Sequence, residues 1–299
     1  MPPAPLALVR YVLYGVLMGG ADVIPGVSGG TMALIVGIYE RLVGALSSAV
    51  SFGLALLRLD LDAAQTHRAA VPWGLIVPLL GGIGGAVVVG AKVIPPLVET
   101  HPEPMRGLFF GLVAASLLIP ARRIERVTGV RVGIGLACAV GAFSLTGLSA
   151  LAVSEPSLVR VFGSAMVAVC AMILPGVSGA FLLEALGIYT PTLEAVNALD
   201  WGYVLTFCGG AAVGLGSFAK LIDLLLTHRH DATMAALVGL IAGALRALWP
   251  YGGAERTLRG PEAGEPVVSV VLLALIGFGS VLTLLAWSPS AAETEPSAP

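Results

Sequence analysis

Long runs of apolar residues follow one another along almost the whole chain, with only short polar breaks between them. The runs cover residues 6–23, 27–57, 71–98, 105–120 and 130–153, and then 158–174, 177–199, 201–226, 233–249 and 267–287. Most of them are long enough for a helix that crosses the ~30 Å hydrocarbon core of a bilayer. The pattern therefore predicts an all-α polytopic membrane protein with two sets of about five hydrophobic segments.

The composition supports this prediction. Hydrophobic residues make up 57% of the 299 residues and charged residues 11%, whereas about 25% of a soluble domain is charged. The N-terminal apolar run continues into the next segment without a small-residue cleavage site, so we interpret it as mature sequence. We expect a single membrane domain over residues 1–299, with residues 288–299 as a disordered tail.

The two sets of segments are similar to each other, which indicates an internal duplication. The matches keep one constant spacing: Trp73-Gly74 with Trp201-Gly202, Gly81-Gly82 with Gly209-Gly210, and Ala91-Lys92 with Ala219-Lys220. We place repeat one at about 6–153 and repeat two at about 158–287. A polar insertion, residues 58–72, is expected as a loop in the first repeat only.

The distribution of arginines predicts the orientation. If each repeat crosses the membrane an odd number of times, most loop arginines lie on one side: Arg10, Arg58, Arg68, Arg122, Arg123, Arg126, Arg131 and Arg229. Positive loops mark the cytoplasmic side. Arg256 and Arg259 would lie outside, among several glutamates. An odd number of crossings makes the repeats inverted, as in many transporters, and leaves both termini cytoplasmic.

The same turn, Pro-Gly-Val-Ser-Gly, occurs once in each repeat, at residues 25–29 and 175–179. Proline and glycine interrupt a helix, and Ser28 or Ser178 can cap the helix that follows. The segment 27–39 would reach about 20 Å at about 1.5 Å per residue, which is too short to cross the membrane. We therefore predict a broken or re-entrant helix at each turn, and the sequence leaves both forms open.

Such a turn presents free backbone N–H groups and a positive helix end, which favour an anion. Inverted symmetry would bring the two turns together, so that both hold one phosphate. The predicted binding residues are Pro25, Gly26, Val27, Ser28, Gly29, Gly30, Thr31, Pro175, Gly176, Val177, Ser178 and Gly179. The alternative is that the turns only allow helices to pack closely.

Ionisable residues near these turns are candidates for coupling or gating, since charges within the membrane are costly and usually functional. They are Asp22, Glu40, Arg41 and Glu184. Glu40 and Arg41 could instead form an interfacial pair. Lys92 and Lys220 occupy matching positions late in apolar runs and are further candidates for phosphate binding. They could also be lysines that reach the interface, and Lys220 could pair with Asp223.

Other kinds of site receive no support from the sequence. The three cysteines lie far apart in apolar segments and the four histidines show no metal-binding spacing, so we predict no metal and no cofactor. A basic cluster with interleaved aromatic residues is absent from the sequence, which argues against nucleic-acid binding.

The chain resembles the PopT family of polyprenyl-phosphate transporters of bacterial membranes. The resemblance lies in "GGADVIPGVSGGT", residues 19–31, and in its second copy "CAMILPGVSGAFLL", residues 170–183. It would cover about residues 12–285. The second copy has Met172 in place of Asp22 and Ala180-Phe181 in place of Gly30-Thr31, so we expect the first copy to dominate.

The resemblance implies that the protein returns undecaprenyl phosphate from the outer to the cytoplasmic leaflet of the bacterial inner membrane, for cell-envelope synthesis. The expected partners then also include membrane lipids, and protons or sodium are candidate coupling ions. Two alternatives stay open at this point. One is an ion-coupled transporter of another anion. The other is a membrane undecaprenyl-pyrophosphate phosphatase, a class that also has inverted repeats and a Pro-Gly-x-Ser turn.

Phosphatase chemistry requires an arginine or metal-binding carboxylates around the transferring phosphoryl group. Glycine follows the serine in both turns, at Gly29 and Gly179, where we would expect that arginine. We therefore predict that the protein is not an enzyme and assign no catalytic residue.

Overall fold

The computed structural model describes residues 5–23, 28–148, 153, 155–252 and 257–287, and it is helical almost throughout these residues. The α-helices are α1 (Pro5–Asp22), α2 (Gly29–Ile35), α3 (Tyr39–Leu57), α4 (Leu61–Ala70), α5 (Trp73–Thr100), α6 (Pro102–Ser116), α7 (Leu118–Arg122), α8 (Gly129–Leu145), α9 (Leu158–Ile173), α10 (Gly179–Ala185), α11 (Tyr189–Asn197), α12 (Trp201–His228), α13 (His230–Ala244) and α14 (Val267–Trp287). A 3₁₀ turn, Leu245–Leu248, extends α13. The predicted tail, residues 288–299, lies outside the described residues.

Within the described residues, six helical segments are long and apolar enough to cross a membrane. They are Tyr39–Leu57, Trp73–Gly90, Pro102–Arg122, Trp201–His228, His230–Leu248 and Val267–Ala286, and the shorter α8 and α9 are also apolar. Many large apolar side chains on these helices are exposed, for example Leu205 of α12 and Val268 of α14. A soluble protein would bury such surfaces. The prediction of an all-α polytopic membrane protein is confirmed.

The helices of the two halves follow the same order. Helices α5 and α12 both begin at a Trp-Gly pair and both contain 28 residues. The helices that follow the two Pro-Gly-Val-Ser-Gly turns, α2 and α10, both contain 7 residues. The two long apolar runs at 27–57 and 177–199 are each divided by a turn, so that α2 precedes α3 and α10 precedes α11.

The insertion at residues 58–72 folds differently from our expectation. It contains a helix, α4, which packs against α3. Asp60 caps this helix by accepting a hydrogen bond from the Ala63 N–H at 3.0 Å, and His67 and Arg68 lie in its last turn. Both features stabilise a short helix. The expectation of a loop was wrong because these capping interactions stabilise a helix in spite of its polar composition.

The two halves are interlocked. Helix α1 packs along α5, and α9 packs along α12 in the same way. The last helices exchange partners, since α14 packs along α6 of the first half and α8 packs along α13 of the second half. Each half therefore completes the packing of the other.

Helix α2 lies in the core that joins the halves. All seven of its residues are buried. Leu34 and Ile35 belong to the same hydrophobic cluster as Val113 of α6 and Leu237 and Ile241 of α13. The helix also contacts α9 and α14. The first turn is thus placed at the junction of both halves.

Candidate functional site

Both Pro-Gly-Val-Ser-Gly turns interrupt a helix at the predicted place. Helix α1 ends at Asp22 and α2 begins at Gly29, where the Ser28 hydroxyl oxygen accepts a hydrogen bond from the Gly30 N–H at 3.1 Å. In the second half, Ser178 caps α10 through the Phe181 N–H at 3.5 Å. The predicted helix breaks and serine caps are confirmed. Pro25, Gly26 and Val27 lie outside the described residues.

The chain reverses its direction at each break. Arg41, beyond the end of α2, donates a hydrogen bond to the Tyr11 hydroxyl near the start of α1, at 3.3 Å. In the second half, Arg160 near the start of α9 donates to the Leu186 carbonyl just after α10, at 2.9 Å. Each short helix therefore returns along the helix that precedes it. Of the two forms left open by the sequence, these contacts favour the re-entrant hairpin.

The tips of the two hairpins touch each other. The Gly176 N–H donates a hydrogen bond of 2.9 Å to the hydroxyl oxygen of Thr31, and both residues are buried. The Ser28 hydroxyl makes a longer contact, 3.5 Å, with the Met172 carbonyl oxygen. Gly176 has φ of 87°, which favours glycine. The expectation that the two turns approach each other is confirmed, and Pro175 and Val177 are buried at this junction.

The N–H groups at the start of α2 are already bound within the chain. The Asp22 carboxylate accepts a hydrogen bond from the Gly29 N–H at 2.6 Å. The Gly30 N–H is bound by Ser28. Our expectation that these groups are free was wrong, because the carboxylate that ends α1 reaches back to the helix that follows the turn. The acceptor at this helix end is therefore a side chain of the protein itself.

The second turn lacks this arrangement. Met172 occupies the position of Asp22. A Cβ atom added at Gly179 would lie 2.4 Å from the Met172 Cγ, so the methionine packs directly against the start of α10. The halves are chemically unequal at their tips, as the substitution of Met172 for Asp22 indicated.

A cavity of about 430 Å³ opens beside the first turn. It lies between helices α1 to α3 of the first half and helices α9 and α12 of the second half. Its walls are formed by Met18, Asp22, Gly29, Gly30, Tyr39, Leu42, Val43, Leu46, Val169, Met172, Ile173, Ala211, Ala212 and Leu215. The cavity is apolar except around Asp22, the start of α2 and Tyr39.

The predicted site residues divide into those at this cavity and those away from it. Asp22, Gly29 and Gly30 line the cavity, and Ser28 and Thr31 are buried beside it in the junction. Lys92 of α5 and Lys220 of α12 have exposed side chains and do not contribute to its walls. Glu184 is exposed on α10.

Glu40 and Arg41 bind different partners. The Glu40 carboxylate forms a salt bridge of 2.7 Å with Arg123 and lies 3.4 Å from His230, while Arg41 contacts Tyr11. The suggested pair between these two neighbours is therefore not formed among the described residues. Glu40 instead connects the start of α3 with the segment after α7 and with the start of α13.

His230 also lines a polar surface pocket of about 670 Å³. In it, Arg131 forms a salt bridge of 2.8 Å with Asp231, and Asp231 also accepts hydrogen bonds from the Glu125 and Arg126 N–H groups. Two of the arginine-bearing segments that we predicted on one side, 122–131 and the one with Arg229, thus lie together. Among the described residues, groups of three or more His, Cys, Asp or Glu are not found in an arrangement that could hold a metal.

Sequence reasoning missed Tyr39 and Met172 as cavity residues. Tyr39 follows Gly37-Ile38, and the same three residue types recur at 187–189 in the second half. This second match could have drawn attention to Tyr39, since the resemblance of the turns extends to it.

The fold and site define a polytopic membrane protein in which two helical hairpins meet at their tips beside a largely apolar cavity. The chain belongs to the VCA0040-like family, described as undecaprenyl phosphate translocase-like, whose model matches residues 18–265. The family membership predicted from the two turns is confirmed.

Two relatives carry the name polyprenyl-phosphate transporter. The protein from Vibrio cholerae serotype O1 is 38% identical over 243 residues, which are 80% of this chain and 77% of the relative. The protein from Staphylococcus aureus is 29% identical over 259 residues, which are 80% of this chain and 85% of the relative. No solved structure matches the chain. The family and these relatives support a role in polyprenyl phosphate transport.

Proposed function

We propose that this protein moves undecaprenyl phosphate from the outer to the cytoplasmic leaflet of the bacterial inner membrane, with both termini in the cytoplasm and the two halves inverted. The observation that carries this proposal is the cavity beside the first turn. It combines apolar walls with one polar end at Asp22 and Gly29. The names of the relatives support the same substrate class.

A lipid monophosphate has two chemically different parts, and the cavity suits both. The phosphate would lie at the junction of the hairpins, near Gly29, Gly30 and Thr31. The first part of the prenyl chain would lie against Leu42 and Leu46 of α3 and the apolar residues of α12. A prenyl chain gains free energy when it is buried against such walls, whereas a small hydrated anion has no apolar surface to bury. This favours the lipid over the other anions.

The phosphate and the Asp22 carboxylate would compete for the same hydrogen-bond donor. Asp22 accepts the Gly29 N–H in the structure without substrate, and two anions at one helix end repel each other. Asp22 therefore has to move away or take up a cation when the phosphate enters. This competition makes Asp22 the residue at which a proton or a sodium ion would couple to transport.

The other predicted residues have supporting roles in this proposal. Lys92 and Lys220, both exposed on long helices, would attract the phosphate before it reaches the cavity. Glu40, Arg41 and Glu184 would participate in gating. Ser178 and the second turn would complete the binding site by holding the first turn in place.

The test is transfer of undecaprenyl phosphate between leaflets of proteoliposomes that contain the purified protein. We expect protein-dependent transfer that Asp22→Asn reduces at least tenfold, since asparagine preserves the shape of the side chain and removes its charge. Asp62→Asn, on the exposed face of α4, is the matched control and should transfer lipid at the normal rate.

Three other outcomes would contradict the proposal. Transfer at a normal rate in Asp22→Asn would remove Asp22 from the mechanism. Inhibition by inorganic phosphate as strong as that by the lipid would favour a carrier of soluble anions. Release of phosphate from undecaprenyl pyrophosphate, without leaflet transfer, would show a phosphatase.

A further inference from the structure

Two helices end in turns that hold a leucine in the left-handed backbone conformation. Leu59 follows α3 with φ of 57°, and Leu199 follows α11 with φ of 55°. At each turn, the N–H groups of the leucine and of the next residue donate hydrogen bonds to carbonyl groups of the last helical turn, which is a Schellman motif. A residue with a Cβ atom is unfavourable in this conformation, and glycine usually occupies the position.

The same chain uses glycine in this position at two other helix ends. Helices α2 and α10 finish in the same hydrogen-bonded turn, with Gly37 at φ of 76° and Gly187 at φ of 75°. The motif itself therefore does not require leucine. At Leu59 and Leu199 the unfavourable backbone conformation needs an interaction of the side chain that compensates for it.

Within the residues that the structure describes, the protein gives these leucine side chains little to pack against. Leu59 is 83% exposed and Leu199 is 65% exposed. Other apolar side chains next to them are exposed as well, namely Leu57 and Leu61 at the first turn and Trp201 at the second. Turns that face water are usually polar. The exposed surface of both turns is thus suited to an apolar environment.

An exposed tryptophan accompanies each turn. Trp201 begins α12 two residues after Leu199. Trp73 begins α5 and packs edge-to-face against Phe52 of α3, with ring centroids 6.4 Å apart. Tryptophan is enriched where a membrane protein passes from hydrocarbon to headgroups. This places both turns at the boundary of the bilayer and identifies lipid as the apolar partner.

We propose that Leu59 and Leu199 anchor the two turns in the membrane, with their side chains inserted among lipid acyl chains. Burial of the leucine side chain in hydrocarbon then offsets the unfavourable left-handed backbone. The helices next to these turns, α3 and α12, form walls of the cavity beside Asp22, so the anchors hold these walls at a fixed depth. The anchors do not depend on which lipid the protein transports.

The first experiment measures the depth of spin labels in proteoliposomes, in a protein whose three native cysteines are replaced by alanine. Labels at Leu59→Cys and Leu199→Cys should collide at least threefold more often with oxygen, which dissolves among acyl chains, than with a water-soluble nickel chelate. Asp62→Cys, at an exposed position of α4 near the first turn, is the control and should show the reverse preference. A label at either leucine that collides mainly with the nickel chelate would overturn the anchor at that turn.

The second experiment separates the side chain from the backbone conformation. Leu59→Ala keeps the unfavourable left-handed residue and removes most of the side chain, whereas Leu59→Gly removes both. In nanodiscs we expect Leu59→Ala to melt about 2–4 °C below wild type. Leu59→Gly should melt above Leu59→Ala, because glycine adopts positive φ freely.

A water-facing turn gives a different result. The exposed side chain would then have no packing to lose, and Leu59→Ala would melt at the temperature of wild type. That outcome would refute the anchor. A Leu59→Gly variant that melts no higher than Leu59→Ala would also refute it, because the backbone conformation would then need no compensation.

Discussion

The contact between the two hairpin tips allows a quantitative prediction about stability. Thr31 is fully buried and accepts the Gly176 N–H at 2.9 Å. Thr31→Val keeps the shape of the side chain and removes the acceptor, so that a buried backbone N–H is left unpaired. Such a loss costs about 1–3 kcal/mol.

A second buried threonine supplies the control. Thr233 of α13 is 6% exposed, and its hydroxyl group donates to the Arg229 carbonyl oxygen at 3.1 Å. That carbonyl also accepts the Thr233 N–H at 2.9 Å. Thr233→Val therefore leaves the carbonyl paired, and we expect it to cost less than about 1 kcal/mol.

The assay is reversible unfolding in mixed detergent micelles, which gives the free energy of unfolding of each variant. We expect Thr31→Val to be the less stable variant by about 1–2 kcal/mol. Equal stability of the two valine variants would refute the reasoning, since it would mean that the Thr31–Gly176 hydrogen bond contributes nothing and that the tips do not hold each other.

Two further predictions concern regions away from the tips. A Cβ atom at Gly15 would lie 2.2 Å from the Leu79 carbonyl oxygen, whereas a Cβ atom at Gly20 on the same helix would meet nothing within 4 Å. Gly15→Ala should therefore lower the melting temperature, and Gly20→Ala should not. Equal melting temperatures of the two variants would contradict the packing of α1 against α5. In the segment before α14, the Arg259 guanidinium binds Glu265, with one contact of 3.0 Å, and lowers the pKa of that carboxyl group below its ordinary value of 4.5. The ion pair stabilises this segment above pH 4.5, and this stabilisation is lost as the pH falls through the lowered pKa of Glu265. In wild type, the protection of residues 257–266 against hydrogen exchange should therefore decrease as the pH falls below 4.5. In Glu265→Gln, the protection should not depend on pH once the intrinsic exchange rate is taken into account.

The sequence contained enough information for the main segments and for the two breaks. Pro-Gly followed by serine acts through local backbone chemistry, which explains why the caps at Ser28 and Ser178 were predictable. The matched Trp-Gly pairs placed α5 and α12 in register. The hydrogen bond between the Gly29 N–H and the Asp22 carboxylate could have been predicted as well, because the two residues are close in the chain.

Contacts between residues that lie far apart in the chain could not be predicted from the sequence. Glu40 binds Arg123 and approaches His230, and only the folded arrangement of α3, α7 and α13 brings these residues together. Tyr39 and Tyr189 have the same local sequence, yet one is buried and the other exposed. This difference arises from packing between the halves, which no local pattern reveals.

The most direct test of the central claim is to fill the cavity and measure lipid transfer. Leu46 of α3 lines the cavity, and Leu57 of the same helix is 82% exposed and away from it. The measurement is the initial rate of undecaprenyl phosphate transfer between leaflets of proteoliposomes with Leu46→Trp or Leu57→Trp. Our account predicts that Leu46→Trp blocks transfer while Leu57→Trp leaves it unchanged. Normal transfer by a correctly folded Leu46→Trp protein would contradict it, since the lipid would then take another route.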